Sequence, residues 1–222
     1  MSPPRAKATR KKRHVERPDI REKLLDAAEA VIREEGYGAA TVRRISNRAG
    51  MKHQVVFYYF GSQEELLLAL LRRVSAKYHE RLTEALNSEH PVRAMWEVVS
   101  DVDANRIGLE FMAMANHSDV IRAEIAKNAE SSRALETEAV ARHLKERGIQ
   151  PQLSPELVSI LTNALARLLV QEATLGIYTG HERAEELVYN SLSIFEAMGK
   201  TDEGVMPIVD AMSTPEAADK SD

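Results

Sequence analysis

Three consecutive side chains that can bond the edges of DNA bases, Lys52, His53 and Gln54, stand at the start of a short predicted helix. Lys and Gln form hydrogen bonds with base edges in the major groove. A lone His is more often an ordinary surface residue, and only its place at the start of this helix favours a base contact for His53. These three residues are therefore the candidate readers of a DNA sequence.

Side chains that commonly hold phosphates flank this group. Thr, Arg and Tyr contact the DNA backbone and set the register of a protein without reading the sequence. The candidates for that role are Thr41, Arg43, Tyr58 and Tyr59. The aromatic run from Phe57 to Phe60 also fits core packing, so we expect Phe57 and Phe60 to be buried, with only the two tyrosines exposed enough to reach DNA.

The elements that must position these side chains are two short helices joined by a tight turn. Thr41 is the predicted cap of a helix from Val42 to Ala49, and Gly50 stops it before a second helix from His53 to Tyr59. In a helix-turn-helix the first helix crosses the phosphate backbone and the second enters the major groove. The segment from Thr41 to Phe60 is the predicted reading unit.

Capping signals bound this unit on both sides. Asp19, with Glu22 three residues later, predicts the start of an earlier amphipathic helix that Gly36 ends. Ser62 with Glu65 predicts the start of a long helix rich in leucine. The reading unit is thereby expected to be the second and third helices of a three-helix domain.

The charge of the chain is divided between its two ends. Residues 1–60 hold 14 Lys and Arg against 7 Asp and Glu, a net charge of +7, whereas the remainder holds 16 against 27, a net of −11. A polyanion would be drawn to the first segment only, as expected of phosphate contacts. The basic arm at its start is equally explained as a solvated tail or a nonspecific phosphate contact.

The remainder of the chain has helical periodicity and no convincing strand pattern. Helices are predicted from Pro91 to about Asn116, from Ser118 to about Arg147 with a break near Asn128 left open, from Ser154 to Thr179 and from Glu182 to Met198. The predicted fold is all-α, with a helix-turn-helix DNA-binding domain followed by a larger helical ligand-binding and dimerisation domain. The expected boundaries are a basic disordered arm at 1–18, the DNA-binding domain at 19–62, the larger domain at 63–199 and an acidic flexible tail at 200–222.

Several stretches together resemble the TetR (tetracycline repressor) family of bacterial regulators. They are Leu24 to Val31, Thr41-Val42-Arg43-Arg44-Ile45, Ala49-Gly50 and Phe57-Tyr58-Tyr59-Phe60-Gly61-Ser62-Gln63-Glu64-Glu65-Leu66. The match covers about the first third of the chain, and its spacing is far more specific than a generic helix-turn-helix. The resemblance implies three DNA-binding helices, a divergent helical ligand-binding core and a dimer built on the last two long helices.

The sequence departs from the common family pattern within the reading unit. Lys52 replaces a frequent small hydroxylated residue, Gln54 a frequent Gly or Pro, and Phe57 a frequent Tyr. Gln63 stands where the family often has Lys, so this DNA-binding candidate lacks a cation, and Lys52 with the basic arm is expected to supply part of the missing attraction. The resemblance therefore predicts DNA binding more firmly than it predicts which DNA is bound.

The segment from Ser154 to Thr179 is apolar on nearly every side, which implies two buried surfaces. One would face the domain's own interior, and the other would pack against a second copy of the chain together with four residues of the last helix, Leu187, Leu192, Ile194 and Phe195. A homodimer through the last two long helices follows from this pattern.

The interior of the larger domain is predicted to hold a small, mostly hydrophobic effector, because apolar walls with few polar groups suit such a ligand. The same residues also fit an ordinary core. The candidate ligand-binding residues are Trp96, Val99, Asn105, Leu109, Met112, His117, Leu168 and Glu172.

Several classes of function are not supported by the sequence. The chain has no Cys and its seven His are scattered, so neither a catalytic constellation nor a metal or cofactor site is expected, and the chain is predicted not to be an enzyme. No apolar run is long enough to span a bilayer and the first twenty residues do not resemble a signal peptide, so a cytoplasmic protein without a membrane partner is expected.

The favoured function is a DNA-binding transcriptional regulator. It is expected to be a repressor that binds a palindromic double-stranded DNA operator as a homodimer and is released by the small-molecule effector. The alternative is a helical dimeric scaffold or adaptor protein without DNA binding, which would explain the helices and the dimer face but not the basic, capped N-terminal helices.

Overall fold

The computed structural model describes residues 18–149 and 153–197. Their secondary structure is helical, without a strand in either range, which confirms the predicted all-α fold. The helices are α1 (Pro18–Glu35), α2 (Val42–Arg48), α3 (His53–Phe60), α4 (Gln63–Leu86), α5 (Pro91–Val99), α6 (Val102–Ala115), α7 (Asp119–Glu146), α8 (Pro155–Thr174) and α9 (His181–Ala197). The predicted basic arm, apart from Pro18, and the predicted acidic tail lie outside the described residues.

The chain is divided into two compact units, which comprise Met1–Leu70 and Leu71–Asp222. The division falls inside α4, which therefore contributes its first two turns to one unit and the rest of its length to the other. We call these the N-terminal unit and the C-terminal unit. The predicted domain boundary at residue 62 lies at the start of the same helix.

Apolar side chains from all four of its helices form the core of the N-terminal unit. Leu24 and Val31 of α1, Ile45 of α2, Val56 of α3 and Leu66 of α4 are completely buried. Fully burying a Val, Leu or Ile side chain contributes about 1.5–3 kcal/mol. These contacts fix both the position of α2 and α3 and their rotation about their own axes.

The helix ends in this unit follow local signals. The hydroxyl of Thr41 accepts a hydrogen bond from the backbone N–H of Arg44 at 3.2 Å, and that of Ser62 accepts one from Glu65 at 3.1 Å, so both predicted caps are confirmed. Gly50 has a φ of 68° in the turn between α2 and α3, a conformation that other residues rarely adopt. The first helix, however, begins at Pro18, so Asp19 lies in its first turn rather than at the cap.

Two predicted helices of the C-terminal unit differ from the structure, and a break that the prediction left open in a third does not occur. The single helix expected from Pro91 to Asn116 is broken into α5 and α6, because the Asp101 carboxylate caps α6 by accepting from the N–H of Ala104 at 3.1 Å. Conversely, α7 runs without a break past Asn128, whose amide donates to the Ser75 hydroxyl at 2.9 Å. Helix α8 ends at Thr174, before the predicted Thr179, and Gly176 follows with a φ of 76°, as glycine often does just past a helix end.

The core of the C-terminal unit is assembled from α4, α5, α7, α8 and α9. Its buried members include Leu82, Met95, Trp96, Val140 and Leu169. Leu192 of α9 also belongs to this core, so its predicted place at an interface with a second copy is wrong. Within the described ranges, the helices are too short or too polar to cross a lipid bilayer.

Candidate nucleic-acid interface

The orientation of α3 is set by Val56, which is completely buried while residues on the other side of the helix face solvent. Lys52 is the N-cap residue of α3, and His53 and Gln54 begin its first turn. All three side chains are exposed. The structure thus places the three candidate base readers together at one end of a short helix, where a major groove could receive them.

Arg43 is exposed on α2, one residue after its start, and has no carboxylate partner among the residues that the structure describes. The other two arginines of α2 are engaged by α1. Arg44 donates to the Glu35 carboxylate at 2.9 Å, and Arg48 donates to Glu34 at 2.6 Å. Arg43 is therefore the arginine of α2 whose donors are available to a phosphate.

The paired arginines hold α2 against α1. The hydrogen bond from Arg48 keeps the pKa of the Glu34 carboxyl below its usual range. Both side chains of that pair are exposed to solvent, where ion pairs contribute little to stability. Their effect is to occupy the guanidinium groups of Arg44 and Arg48 with carboxylates of α1.

Gln63 has a structural role that its sequence position did not reveal. Its side-chain oxygen accepts a hydrogen bond from the backbone N–H of Val42 at 3.3 Å, a first-turn donor that has no partner within α2. Together, Gln63 and Thr41 accept from the N–H groups of Val42 and Arg44 in the first turn of α2. Gln63 therefore joins the start of α4 to the start of α2, and its proposed contact with DNA stays a prediction.

The aromatic residues of α3 are not buried and exposed in the predicted pattern. Tyr58 is 56% exposed and Tyr59 is half-buried, with their rings edge to face at 5.1 Å. Phe60 is half-buried beneath the guanidinium of Arg21, 5.2 Å from the ring centre. Phe57, predicted to be core, is 48% exposed. That prediction is wrong because Val56 takes the inward position, and Phe57, which lies roughly 100° further round the helix, faces solvent.

The structure places some of the candidate ligand-binding residues in the core of the C-terminal unit and others on its surface. Trp96 and Val99 are buried in the core, as expected of interior residues. Leu109, Met112 and Leu168 are instead exposed, as is His117. The prediction that these four residues line the interior is wrong, because α6 and α8 turn other faces inward.

The two remaining candidates, Asn105 and Glu172, are polar and already have partners within the chain. The amide nitrogen of Asn105 donates to the backbone oxygens of Val99 and Asp101, both at 2.8 Å, across the break between α5 and α6. The Glu172 carboxylate is 2.9 Å from Nε2 of His181. These contacts give the two side chains a structural role, and their predicted role toward a ligand stays a prediction.

A surface cleft of about 350 Å³ opens elsewhere in the C-terminal unit, between the end of α4, the start of α5 and the end of α7. Its walls are mainly polar and include Asn87, Ser88, Glu89, Arg142, Glu146 and Arg147. Arg142 donates to the backbone oxygen of Leu86 at 3.1 Å. None of the predicted ligand-binding residues lines this cleft.

A buried carboxylate lies between α7 and α8. Glu136 is 2% exposed, and one of its oxygens accepts hydrogen bonds from the Ser159 hydroxyl at 2.5 Å and the Asn163 amide at 2.8 Å. Burial raises the pKa of Glu136, and burial together with the nearby Glu136 charge raises the pKa of Tyr78 to about 12. Sequence reasoning missed this cluster, because an isolated Glu in a charged helix is usually solvated.

The N-terminal unit has the architecture and the exposed donors of a helix-turn-helix DNA-binding protein. Residues 24–70 match the model of the family described as bacterial regulatory proteins, tetR family. The chain is 32% identical over 127 residues to the HTH-type transcriptional repressor AcnR of Corynebacterium efficiens, a match that spans 51% of this chain and 68% of that protein. The chain belongs to the TetR family, and it is a DNA-binding transcriptional regulator, not an enzyme.

Further similarities extend across most of the fold. The chain is 28% identical over 122 residues to the repressor NicS of Pseudomonas putida, covering 54% of this chain and 58% of that protein. A regulator from Saccharomonospora viridis, solved in complex with choline, superposes with a TM-score of 0.65 at 16% identity, covering 78% of this chain and 96% of its own. Because the identity to the Saccharomonospora viridis regulator is only 16%, that similarity concerns the fold alone.

Proposed function

We propose that this chain is a repressor that binds a two-fold symmetric DNA operator as a homodimer and that a small, mostly hydrophobic effector releases it. The DNA-binding part rests on two observations: Lys52, His53 and Gln54 are exposed at the start of α3, and Arg43 is exposed on α2 without a carboxylate partner in the described ranges. The first three side chains are base readers and Arg43 is a phosphate contact. The names of AcnR and NicS as repressors support repression over activation.

The homodimer is supported by two opposite faces of α8. The face toward α7 carries the buried residues Ser159, Asn163, Ala166 and Val170. The opposite face is exposed although it is apolar, with Leu157, Leu161 and Leu168 at helical spacing. Contiguous exposed apolar patches of this kind mark interaction sites.

Helix α9 adds to the same argument. Leu187 and Ile194, seven residues apart, are both exposed while Leu192 points into the core. A second copy that packs its own α8 and α9 against these faces removes the apolar surface from water and gives a symmetric interface. Two such copies bring two α3 helices to half-sites roughly 34 Å apart, or a multiple of that distance.

The release step involves α4, the helix that supplies residues to both compact units. We expect α4 to adopt two placements, one in the DNA-binding form and one in the released form. An effector that binds the C-terminal unit more tightly in the second form shifts the equilibrium toward release. The segment from Ser62 to Leu86 is the element through which the shift passes. Such a regulator acts in the cytoplasm, where bacterial operators lie.

A gel shift with the promoter upstream of the protein's own gene tests the DNA-binding part. Binding is expected to weaken steeply as salt rises, because Lys and Arg contacts release counterions from DNA. A scrambled fragment of equal length is the control. An affinity that is the same for both fragments and independent of salt contradicts the proposal.

The effector part needs a separate experiment. Denaturing mass spectrometry of the purified protein identifies co-purified small molecules, and each is then added to the preformed protein–DNA complex. We expect one of these molecules to release the DNA at a concentration of the molecule that does not unfold the protein. A molecule that binds tightly and leaves operator affinity unchanged contradicts release by that ligand.

A further inference from the structure

Phe57 places a half-exposed phenyl ring on the recognition helix. The ring is 48% exposed, whereas Val56 beside it is completely buried. A phenyl group gains nothing from water and is usually covered when it belongs to a core. The exposure therefore marks Phe57 as part of the outer surface of α3.

The position of Phe57 on α3 is next to the candidate base readers. It follows Gln54 by three residues and His53 by four, and side chains at these spacings are neighbours on a helix surface. Both of those residues are exposed. The ring therefore extends the surface that begins with Lys52 by one helical turn.

The chemistry of the ring limits what it can recognise. Phenylalanine has no hydroxyl, so it can neither donate to a phosphate nor bond the polar edge of a base. In the major groove, thymine presents a C5 methyl group, and apolar side chains, Phe included, distinguish thymine by contact with it. An exposed phenyl ring beside two hydrogen-bonding side chains fits this methyl group.

We propose that Phe57 is a specificity-determining residue that recognises a thymine in each operator half-site through its C5 methyl group. The inference rests on the proposed binding of DNA through α3. It adds an apolar contact to the hydrogen bonds of Lys52, His53 and Gln54. Cytosine at that position is then disfavoured because it lacks the methyl group.

Replacement of thymine by deoxyuridine tests this directly, since it removes only the methyl group. An operator is first obtained by selection from random DNA with the full-length protein, and each thymine in the half-site is then replaced singly in both half-sites. Loss of one methyl contact is expected to weaken wild-type binding about three- to five-fold per half-site at one thymine position. The Phe57→Ala variant is expected to bind the thymine and deoxyuridine operators equally.

Two variants control the experiment. Tyr58→Phe removes the neighbouring hydroxyl and is expected to keep full sensitivity to deoxyuridine. Phe57→Leu keeps an apolar side chain and is expected to keep part of the sensitivity to deoxyuridine. This variant still tests the proposal if Phe57→Ala fails to fold. Thermal unfolding followed by circular dichroism checks that each variant is folded.

The possible failures are distinguishable. If wild-type protein selects no operator, the proposed DNA binding itself is overturned. If the protein binds the operator but no thymine can be replaced by deoxyuridine with a loss of affinity, only the role of Phe57 is overturned. The same conclusion follows if this replacement weakens binding of wild type and Phe57→Ala equally.

Discussion

The two compact units both have apolar cores, but they expose different kinds of side chain. In the N-terminal unit the chain buries its own aliphatic residues, and the exposed surface of α3 begins with Lys52, His53 and Gln54. In the C-terminal unit a carboxylate, Glu136, is buried while leucines of α8 face solvent. The N-terminal surface suits a polyanion, and the C-terminal surface suits an apolar partner. The proposed operator and the proposed second copy are those two partners.

The largest effect is expected from a charge placed on the apolar face of α8. Leu161→Glu should convert the dimer to a monomer, and operator affinity should fall about 100-fold or more because the two half-site contacts no longer act together. Sedimentation velocity and operator titration measure the two effects. Met112→Glu is the matched control, since Met112 of α6 and Leu161 are about equally exposed, at 51% and 50%. Equal dissociation by both variants would contradict an interface on α8.

The next largest effect is expected from replacing Arg43 of α2, and it should exceed the effect of replacing its neighbour Arg44. Arg43→Ala should lower affinity for all DNA sequences about ten-fold and reduce the salt dependence by about one counterion per protomer, because it removes a phosphate contact. Arg44→Ala should change affinity much less, because Glu35 already holds the Arg44 guanidinium. Operator titrations over a salt series compare the two variants. The assignment fails if Arg44→Ala has the larger effect.

A smaller and more specific effect is expected at the start of α3. Gln54→Ala should relax the preference for one base pair in each half-site, with a loss of about 1–3 kcal/mol of discrimination there. Lys52→Ala should act in the same way and also lower the salt dependence. Binding to a set of single-base operator variants provides the measurement. Uniform weakening across the whole set would assign Gln54 to the backbone instead.

The smallest effect concerns the buried polar cluster of the C-terminal unit. Burial raises the folded-state pKa of Glu136, so its contribution to stability is complete below the unfolded pKa and is lost as the pH rises through the folded pKa. Glu136→Gln keeps an acceptor for Ser159 and Asn163 and removes this loss. Urea unfolding between about pH 4.5 and pH 8.5 should show the variant gaining stability relative to wild type toward high pH.

The exposed Glu138 on the same helix provides the control for that experiment. Glu138→Gln should follow the wild-type pH dependence, because it leaves the buried Glu136 carboxyl in place. A pH dependence that is unchanged in Glu136→Gln would show that burial of this carboxyl does not govern stability.

Local features of the fold were predictable from the sequence. Thr41 and Ser62 are caps whose partners lie three residues away, so the residue type and the spacing are sufficient to find them. The break at Asp101 carries the same kind of signal, an acidic cap before a new helix, and could have been recognised. Gly176 likewise marks the end of α8, because glycine is the residue that most readily adopts a positive φ.

Features set by tertiary packing were not predictable. Whether Val56 or Phe57 faces inward depends on the rotation of α3 against α1, and both residues are apolar. The burial of Glu136 depends on donors from α8 that are 23 and 27 residues away in sequence. The exposure of Leu109 and Met112 depends on which face α6 turns toward α7 and α8. Sequence periodicity shows that a face is apolar but does not show what covers it.

Selection of bound sequences from a random DNA library with the full-length protein, followed by determination of the stoichiometry of the complex, tests the central claim most directly. The account predicts a two-fold symmetric sequence, with two protomers bound to half-sites roughly 34 Å apart or a multiple of that distance. It also predicts that Gln54→Ala selects a sequence altered at one position of each half-site. Failure to enrich any sequence, or a selected sequence without two-fold symmetry that a single protomer binds, would contradict it.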